Sequence, residues 1–457
     1  MNEHLETKKG FPRWCRILLV LIVAVVLVIV SVMSANYFIG KRLSLEITKV
    51  SQAGEPLIFS DLESEFKPSI SGQDASIYYQ GPLLSISPDN LDGLQQFNSI
   101  YRRGVASLPD QQFPEDLHKK ARRVLGVFQP ALETFDTGAG LELHQFDIGI
   151  KHGIKVYRSH IQNIESAVLL LSLRTLNLIL NNDGDAAVNS AISTLKLTRI
   201  FKTDPAILPY IAKMEYVTLV CNDIYLLLEH TKPSEQSLLK LQKAVSEAIP
   251  ENSLERMFFT ERVYRLKAVK NIIPKQTVAR LIDDDLPDFP EQIPVPRSIL
   301  TLMRLRKDTT QFLSNTSVLI PACRKPWPAI LDVVEEHMSQ SGGKPDILFQ
   351  RAKLSSTITA RSLVAVRCSI LNIAIERYRR SLGKLPASLD SLSPYYVKSI
   401  PIDPFSGKAL LYALDSESYV TYSVGPNRKD DGGAVEFRPE QKDSLDIGIR
   451  LGSSGSK

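Results

Sequence analysis

His144, His152 and His160 fall within one stretch that also holds Asp147 and Glu165. Imidazoles and carboxylates together could bind a transition metal or exchange protons near neutral pH. Their spacing argues against a single centre, because a step of eight turns a continuous helix by about 80° and three histidines spread by two such steps do not converge on one ion. Gly149 and Gly153 also interrupt the stretch, so surface or internally bonded histidines are the plainer reading. Asp283-Asp284-Asp285 offers oxygens to a cation, and a solvated loop accounts for it equally. Cys221, Cys323 and Cys368 stand in apolar, helical contexts without the Cys-x-x-Cys spacing of a metal site. Buried thiols, or one disulfide with a thiol left over, are the two readings. The chain has no His-Glu-x-x-His, no Gly-x-Ser-x-Gly and no phosphate-binding Gly-Lys-Ser/Thr loop, and no residue is assigned as catalytic.

A second group of oxygen-bearing residues closes the chain. Glu376-Arg377-Tyr378, Gly383-Lys384-Leu385-Pro386, Leu389 to Leu392 and Asp403-Pro404-Phe405-Ser406-Gly407-Lys408 follow one another. Ala409 to Leu414 and Ser418 to Ser423 then alternate as two strands of an antiparallel hairpin, before Gly425-Pro426-Asn427 and Asp430-Asp431-Gly432-Gly433. This order, over Arg367 to Gly433, resembles the C-terminal globular head of the major pseudopilin of type II secretion systems. It is also similar to the ending of large membrane-anchored proteins of planctomycete-type bacteria, in which a helical body precedes the same module. The resemblance implies a small α+β module and a calcium ion in its final loop, with Asn427, Asp430 and Asp431 as ligand positions and Ser423 nearby. Asn427 places a neutral amide where that family has a carboxylate, and the loop to the acidic pair is shorter. A solvent-exposed turn is the other reading of Asp430-Asp431-Gly432-Gly433. The same resemblance makes Gly10-Phe11 look like a pseudopilin cleavage site, but Pro12, Arg13 and Cys15 depart from its pattern and exclude a filament subunit.

The elements that must carry these residues are mostly helical. Leu, Ile and Val recur at three- and four-residue steps over Ser159 to Asn181, Asp185 to Phe201, Ala206 to His230 and Ser234 to Ala248. Asn181-Asn182-Asp183-Gly184, Asp204-Pro205 and Thr231-Lys232-Pro233-Ser234 punctuate them, with Ser234 as an N-cap. Five prolines between Pro274 and Pro296 forbid a helix there and predict a long loop before a helix from Ser298 to Ser314. A last long helix is expected from Ile347 to Leu382, its basic face, with Arg377, Arg379 and Arg380, exposed to solvent.

At the other end, Ile17 to Val30 is an unbroken apolar run that Ser31 to Ile39 extends, about the 20 residues needed to cross a bilayer. Lys8, Lys9, Arg13 and Arg16 precede it and only Lys41 and Arg42 follow closely, which favours a cytoplasmic N-terminus. A signal peptide cut after Val32 and Ser34 is the rival to an uncleaved anchor. With 457 residues, 44% of them apolar, the chain can bury a large core, and a dispersed net charge of +5 gives no footprint for nucleic acid.

The fold class expected is mainly α: an N-terminal transmembrane helix, an extracytoplasmic α-helical body and a small C-terminal α+β pseudopilin-like module with an antiparallel hairpin. The boundaries read as 1–16 for a cytoplasmic N-terminus, 17–39 for the span and 40–90 for a stalk. They continue as 91–346 for a helical domain, 347–440 for the long helix with its module, and 441–457 for a tail. A single-pass protein of the inner membrane follows, with the membrane and other envelope or secretion-system proteins as partners. Its expected role is interaction or scaffolding without catalysis, with no cofactor beyond the calcium that the resemblance adds. The alternative is a cell-envelope hydrolase or ligand-binding protein whose site lies between helices.

Overall fold

Apolar side chains spaced by three and four residues bury one stripe of a helix, and most of this chain obeys that period. The computed structural model describes residues 12–58, 60–62, 73–86, 91–108, 111–142, 154–202, 206–250, 252–273, 298–340, 347–415, 418–435 and 446–452. In chain order the helices are α1 (Arg13–Gln52), α2 (Ser76–Ser85), α3 (Leu91–Ala106), α4 (Glu115–Val127), α5 (Gln129–Ala139), α6 (Ile154–Leu180) and α7 (Gly184–Leu197). They continue as α8 (Ile207–His230), α9 (Glu235–Ser246), α10 (Ser253–Ala268), α11 (Ile299–Cys323), α12 (Ala329–Gln340) and α13 (Ile347–Leu382). Strands β1 (Leu411–Asp415), β2 (Ser418–Ser423) and β3 (Ile447–Leu451) form an antiparallel sheet in that order.

The chain divides into two compact units. One contains Met1–Phe59 and Val263–Ser314, the other Ser60–Arg262 and Asn315–Lys457. In the first, Leu43, Ile47 and Val50 of α1 join Leu57, Leu266, Val269, Ile272, Ile273 and Leu313 in one apolar core. Residues 43, 47 and 50 repeat the helical step, and burial of each such side chain contributes roughly 1.5–3 kcal/mol. The N-terminal part of α1 behaves differently, since its most apolar 18-residue window is 0% buried. Among the described residues three helices are long and apolar enough to cross a membrane, but the windows in α6 and α13 are 78% and 72% buried, so both are core helices of the second unit.

In that second unit α13 packs along α8, with α9, α12 and the sheet against its other sides, and α6 packs on α3, α7 and α8. Small side chains let α13 and α8 approach: Tyr210 shares a hydrogen bond with Thr359 at 2.8 Å, and Thr218 donates to Ser362 at 2.9 Å. Asp183 caps α7 by accepting from the Ala186 amide, and Ser234 caps α9 by accepting from Ser237. Arg102 of α3 is bound to the buried Asp223 of α8 at 2.7 Å and donates to Ser172 of α6 at 2.8 Å, tying three helices together. Burial pushes the Asp223 carboxyl upward and the Arg102 charge opposes it.

Several expectations are corrected. Residues 40–90 are not a plain stalk, because α1 runs on to Gln52 and α2 buries Tyr79 and Leu83. Residues 441–457 are not merely a tail, since Ile447–Leu451 pairs with β2, with Tyr422 opposite Gly448. Gly448 suits that pairing, because a Cβ there would lie 2.4 Å from the Thr421 carbonyl oxygen. On the basic face of α13, Arg379 and Arg380 are exposed as expected while Arg377 is half-buried, and all three have partners: Arg377 binds Glu235 at 2.6 Å and Gln242 at 2.9 Å, Arg380 donates to the Pro233 carbonyl, and Arg379 binds Glu376. The helix begun near residue 298 extends beyond Ser314 to Cys323. Cys15, Cys221, Cys323 and Cys368 are all free thiols.

Candidate functional site

The C-terminal module meets α13 through a matched set of polar groups. Alternate residues of β2 face the helix, and every fourth residue of α13 faces the strand. Two strand residues advance about 6.8 Å and four helical residues about 6 Å, so the two series stay in step over a short seam. Tyr419 donates to Glu376 at 3.2 Å, and Thr421 donates to Asn372 at 2.8 Å. Cys368 lies 3.5 Å from the Thr421 carbonyl. Burial pushes the Glu376 carboxyl upward, against the pull of Arg379, and raises the Tyr419 hydroxyl far above its ordinary value.

Ser423, next in the series, is committed to a different partner. Asp403, at 1% exposure, accepts from the Ser423 hydroxyl at 2.6 Å and the Val424 amide at 3.3 Å. It also accepts from the Phe405 amide at 2.9 Å and the Ser406 hydroxyl at 2.8 Å. One carboxylate thus clamps the Asp-Pro turn to the end of β2. Gly407 closes that turn at φ +72° against Trp327 and Pro328, where a Cβ would stand 3.1 Å from the Trp327 carbonyl oxygen.

The loop after β2 brings Asn427, Asp430 and Asp431 together. The Asn427 amide nitrogen donates to Asp431 at 2.9 Å, while its oxygen accepts from the Lys429 amide at 3.0 Å. Asp430 accepts from the Tyr422 hydroxyl at 3.2 Å and the Gly432 amide at 2.9 Å. A residue that sequence reasoning missed completes the loop: Asp446, wholly buried, accepts from the Asp431 amide at 3.1 Å and the Gly433 amide at 2.8 Å. Its only advance signal was the alternation of Ile447, Ile449 and Leu451 just after it. Burial raises the Asp446 carboxyl, its backbone donors oppose that, and the charges of Asp430 and Asp431 add to it. The Tyr422 hydroxyl is pushed up to about 12 by burial and by the carboxylates of Asp430 and Asp446. Outside the loop, Arg428 reaches Asp332 of α12 at 2.6 Å.

These contacts decide whether the calcium set fits. Hard cations need several free oxygens converging on one point. Ser423 is bonded to Asp403, Asn427 turns its nitrogen toward Asp431, and Asp430 and Asp431 already take donors from the chain. Among the described residues no group of three or more His, Cys, Asp or Glu side chains is placed to hold a metal ion. The four positions are thus bonded to groups of the chain itself, and no chemistry is derived through calcium.

The histidine stretch contributes little to a site. His144, Asp147 and His152 lie outside the described residues, as does Asp283-Asp284-Asp285. His160 falls in α6, and Glu165 of the same helix accepts from Gln95 of α3 at 2.5 Å. No family model, no curated protein and no solved structure matches this chain.

Proposed function

We propose that the protein is a membrane-anchored interaction or scaffold protein whose body lies outside the cytoplasm and whose C-terminal module is akin to the type II secretion pseudopilin head. The observation that carries this reading is the state of α1. No residue of its apolar window is buried, although the same helix continues into a packed core at Leu43, Ile47 and Val50. Leaving those Leu, Val and Ile side chains in water would forfeit roughly 1.5–3 kcal/mol each, which a bilayer supplies. Arg13 and Arg16 before the run, with Lys8 and Lys9, favour a cytoplasmic N-terminus. The kinship of the module rests on its order of parts: a long helix, a left-handed Gly383, the Asp403 turn and an antiparallel hairpin.

Expression of the full chain in a bacterial host tests the reading. The protein should stay with membranes through an alkaline carbonate wash, and protease added to spheroplasts should digest the body while sparing an N-terminal tag. Release by carbonate would remove the anchor. Digestion of the body only after lysis would reverse the orientation.

A further inference from the structure

The first unit contains a second apolar helix end beside the anchor. Arg306 of α11 donates to the Asn36 side chain at 3.0 Å and to the Ile272 carbonyl at 2.7 Å. Seven residues on from each partner stand Leu43 and Leu313, both 0% exposed and both members of the same core. Burial grows toward the C-terminal end on each helix: Ile17 to Val30 are exposed, Val32, Asn36 and Ile39 half-buried, Gly40 and Leu43 buried. On α11, Ile299 and Leu300 are exposed, Leu302 and Leu305 partly buried against the core, and Leu313 enclosed. The two helices therefore run in the same direction, with Arg306 level with Asn36.

That register has a consequence at the helix start. Seven residues back from Arg306 is about 10 Å, which puts Ile299 and Leu300 at the level of Ile29 and Val30 along the anchor. A span starting near Trp14 crosses about 30 Å of hydrocarbon in 20 residues, reaching Met33 and leaving Asn36 at the headgroup level. Leu300 is 63% exposed and lies on the lipid side of that level. Around the level itself the two helices expose Lys41, Arg42, Arg304 and Lys307, against the single exposed acid Asp308. Lys49 further along holds Glu46 at 2.7 Å.

We propose that the first two turns of α11, Ile299 to Leu305, enter the bilayer surface beside α1, and that Lys41, Arg42, Arg304 and Lys307 form a collar for anionic lipid headgroups. The occupant of this apolar helix end is lipid, because it is continuous with the anchor's bare apolar surface and because its rim carries the charge that phosphate headgroups attract. The inference rests on α1 being the anchor. Arg304 and Lys307 are remote from the span in sequence, and Lys41 and Arg42 are outnumbered by Lys8, Lys9, Arg13 and Arg16 before it, so the assigned orientation is kept.

Spin labels on the full chain test it, reconstituted in vesicles of phosphatidylcholine and phosphatidylglycerol, with Cys15 and Cys323 replaced by serine. Labels at Leu300→Cys, Val26→Cys and Tyr395→Cys are compared by their collision rates with oxygen and with a water-soluble nickel chelate. The oxygen-to-nickel ratio at 300 should exceed that at 395 several-fold and approach that at 26. In an Arg304→Glu, Lys307→Glu background the ratio at 300 should fall several-fold while that at 26 holds. A lipid-like ratio at 26 with a water-like ratio at 300 overturns the inference and leaves the anchor standing. Water-like ratios at both positions overturn the anchor and the inference together. An unchanged ratio at 300 in the charge-reversed background overturns the collar.

Discussion

Asp403 carries more of the C-terminal module than any residue of the acidic loop. Its two oxygens take four donors, two of them backbone amides that have no water to turn to. Leaving buried donors without an acceptor costs about 1–3 kcal/mol apiece. Asp403→Ala should lower stability by roughly 3 kcal/mol or more in urea unfolding, and a loss below about 1 kcal/mol would show that the turn holds by packing alone. In the neighbouring loop, Asp446 accepts from the Asp431 and Gly433 amides, so the loop is held by groups of the chain itself. Millimolar calcium or a chelator should therefore leave the melting temperature of the full chain unmoved. A chelator-sensitive shift that Asp430→Ala and Asp431→Ala abolish would reverse this. The thiols tell a simpler story: burial pushes Cys221 and Cys368 each up to about 12, so neither is a nucleophile at neutral pH. Both should resist maleimide until denaturant is added, as mass spectrometry would read, and rapid native labelling would mean that α8 and α13 part.

At the scale of elements, the sheet depends on positions where a side chain has no room. Gly432 and Gly433 both adopt left-handed φ, at +77° and +72°, but only Gly433 faces neighbours, with Val420 at 3.1 Å and Tyr422 at 3.2 Å from a Cβ. Gly432→Ala should cost about 1 kcal/mol from backbone strain alone, and Gly433→Ala distinctly more, since the contact adds to the same strain. Equal losses in thermal melts would put the crowding argument aside. The hairpin was legible in sequence because β2 alternates cleanly and an Asp-Pro turn precedes it. Its third strand was not, since Ile447, Ile449 and Leu451 are too few to stand out from a polar tail, and with β3 unseen Asp446 had no visible reason to matter. The continuation of α1 was hidden in a similar way. Lys, Arg, Ser and Glu dominate residues 41–52, and the stripe at Leu43, Ile47 and Val50 emerges only when Leu266, Val269 and Leu313 are there to meet it. Charge was a fair guide on α13 for Arg379 and Arg380, which are exposed, but not for Arg377, which Glu235 and Gln242 of α9 draw into a half-buried contact.

For the whole molecule, α1 has two jobs, and they divide near Gly40. Up to Ile39 it offers a surface suited to lipid, and from Gly40 it is a structural helix of the first unit. A chain beginning at Gly40 should no longer resist extraction from membranes by alkaline carbonate yet keep that unit folded, because Leu43, Ile47 and Val50 remain. A chain beginning at Ala53 loses all three. Emptying such core positions costs about 2–5 kcal/mol each, which together matches the whole stability of a typical domain, about 5–15 kcal/mol. Hydrogen exchange over Val263 to Ile273 and Leu302 to Leu313 reads the difference: protection near that of the full protein in the first truncation, and collapse of protection in the second. Protection retained in both would mean that α10 and α11 hold the unit without α1, and the anchor would then be a detachable appendage. Protection lost in both would mean that residues before Gly40, Asn36 with its bond to Arg306 foremost, contribute to the fold as well as to the tether.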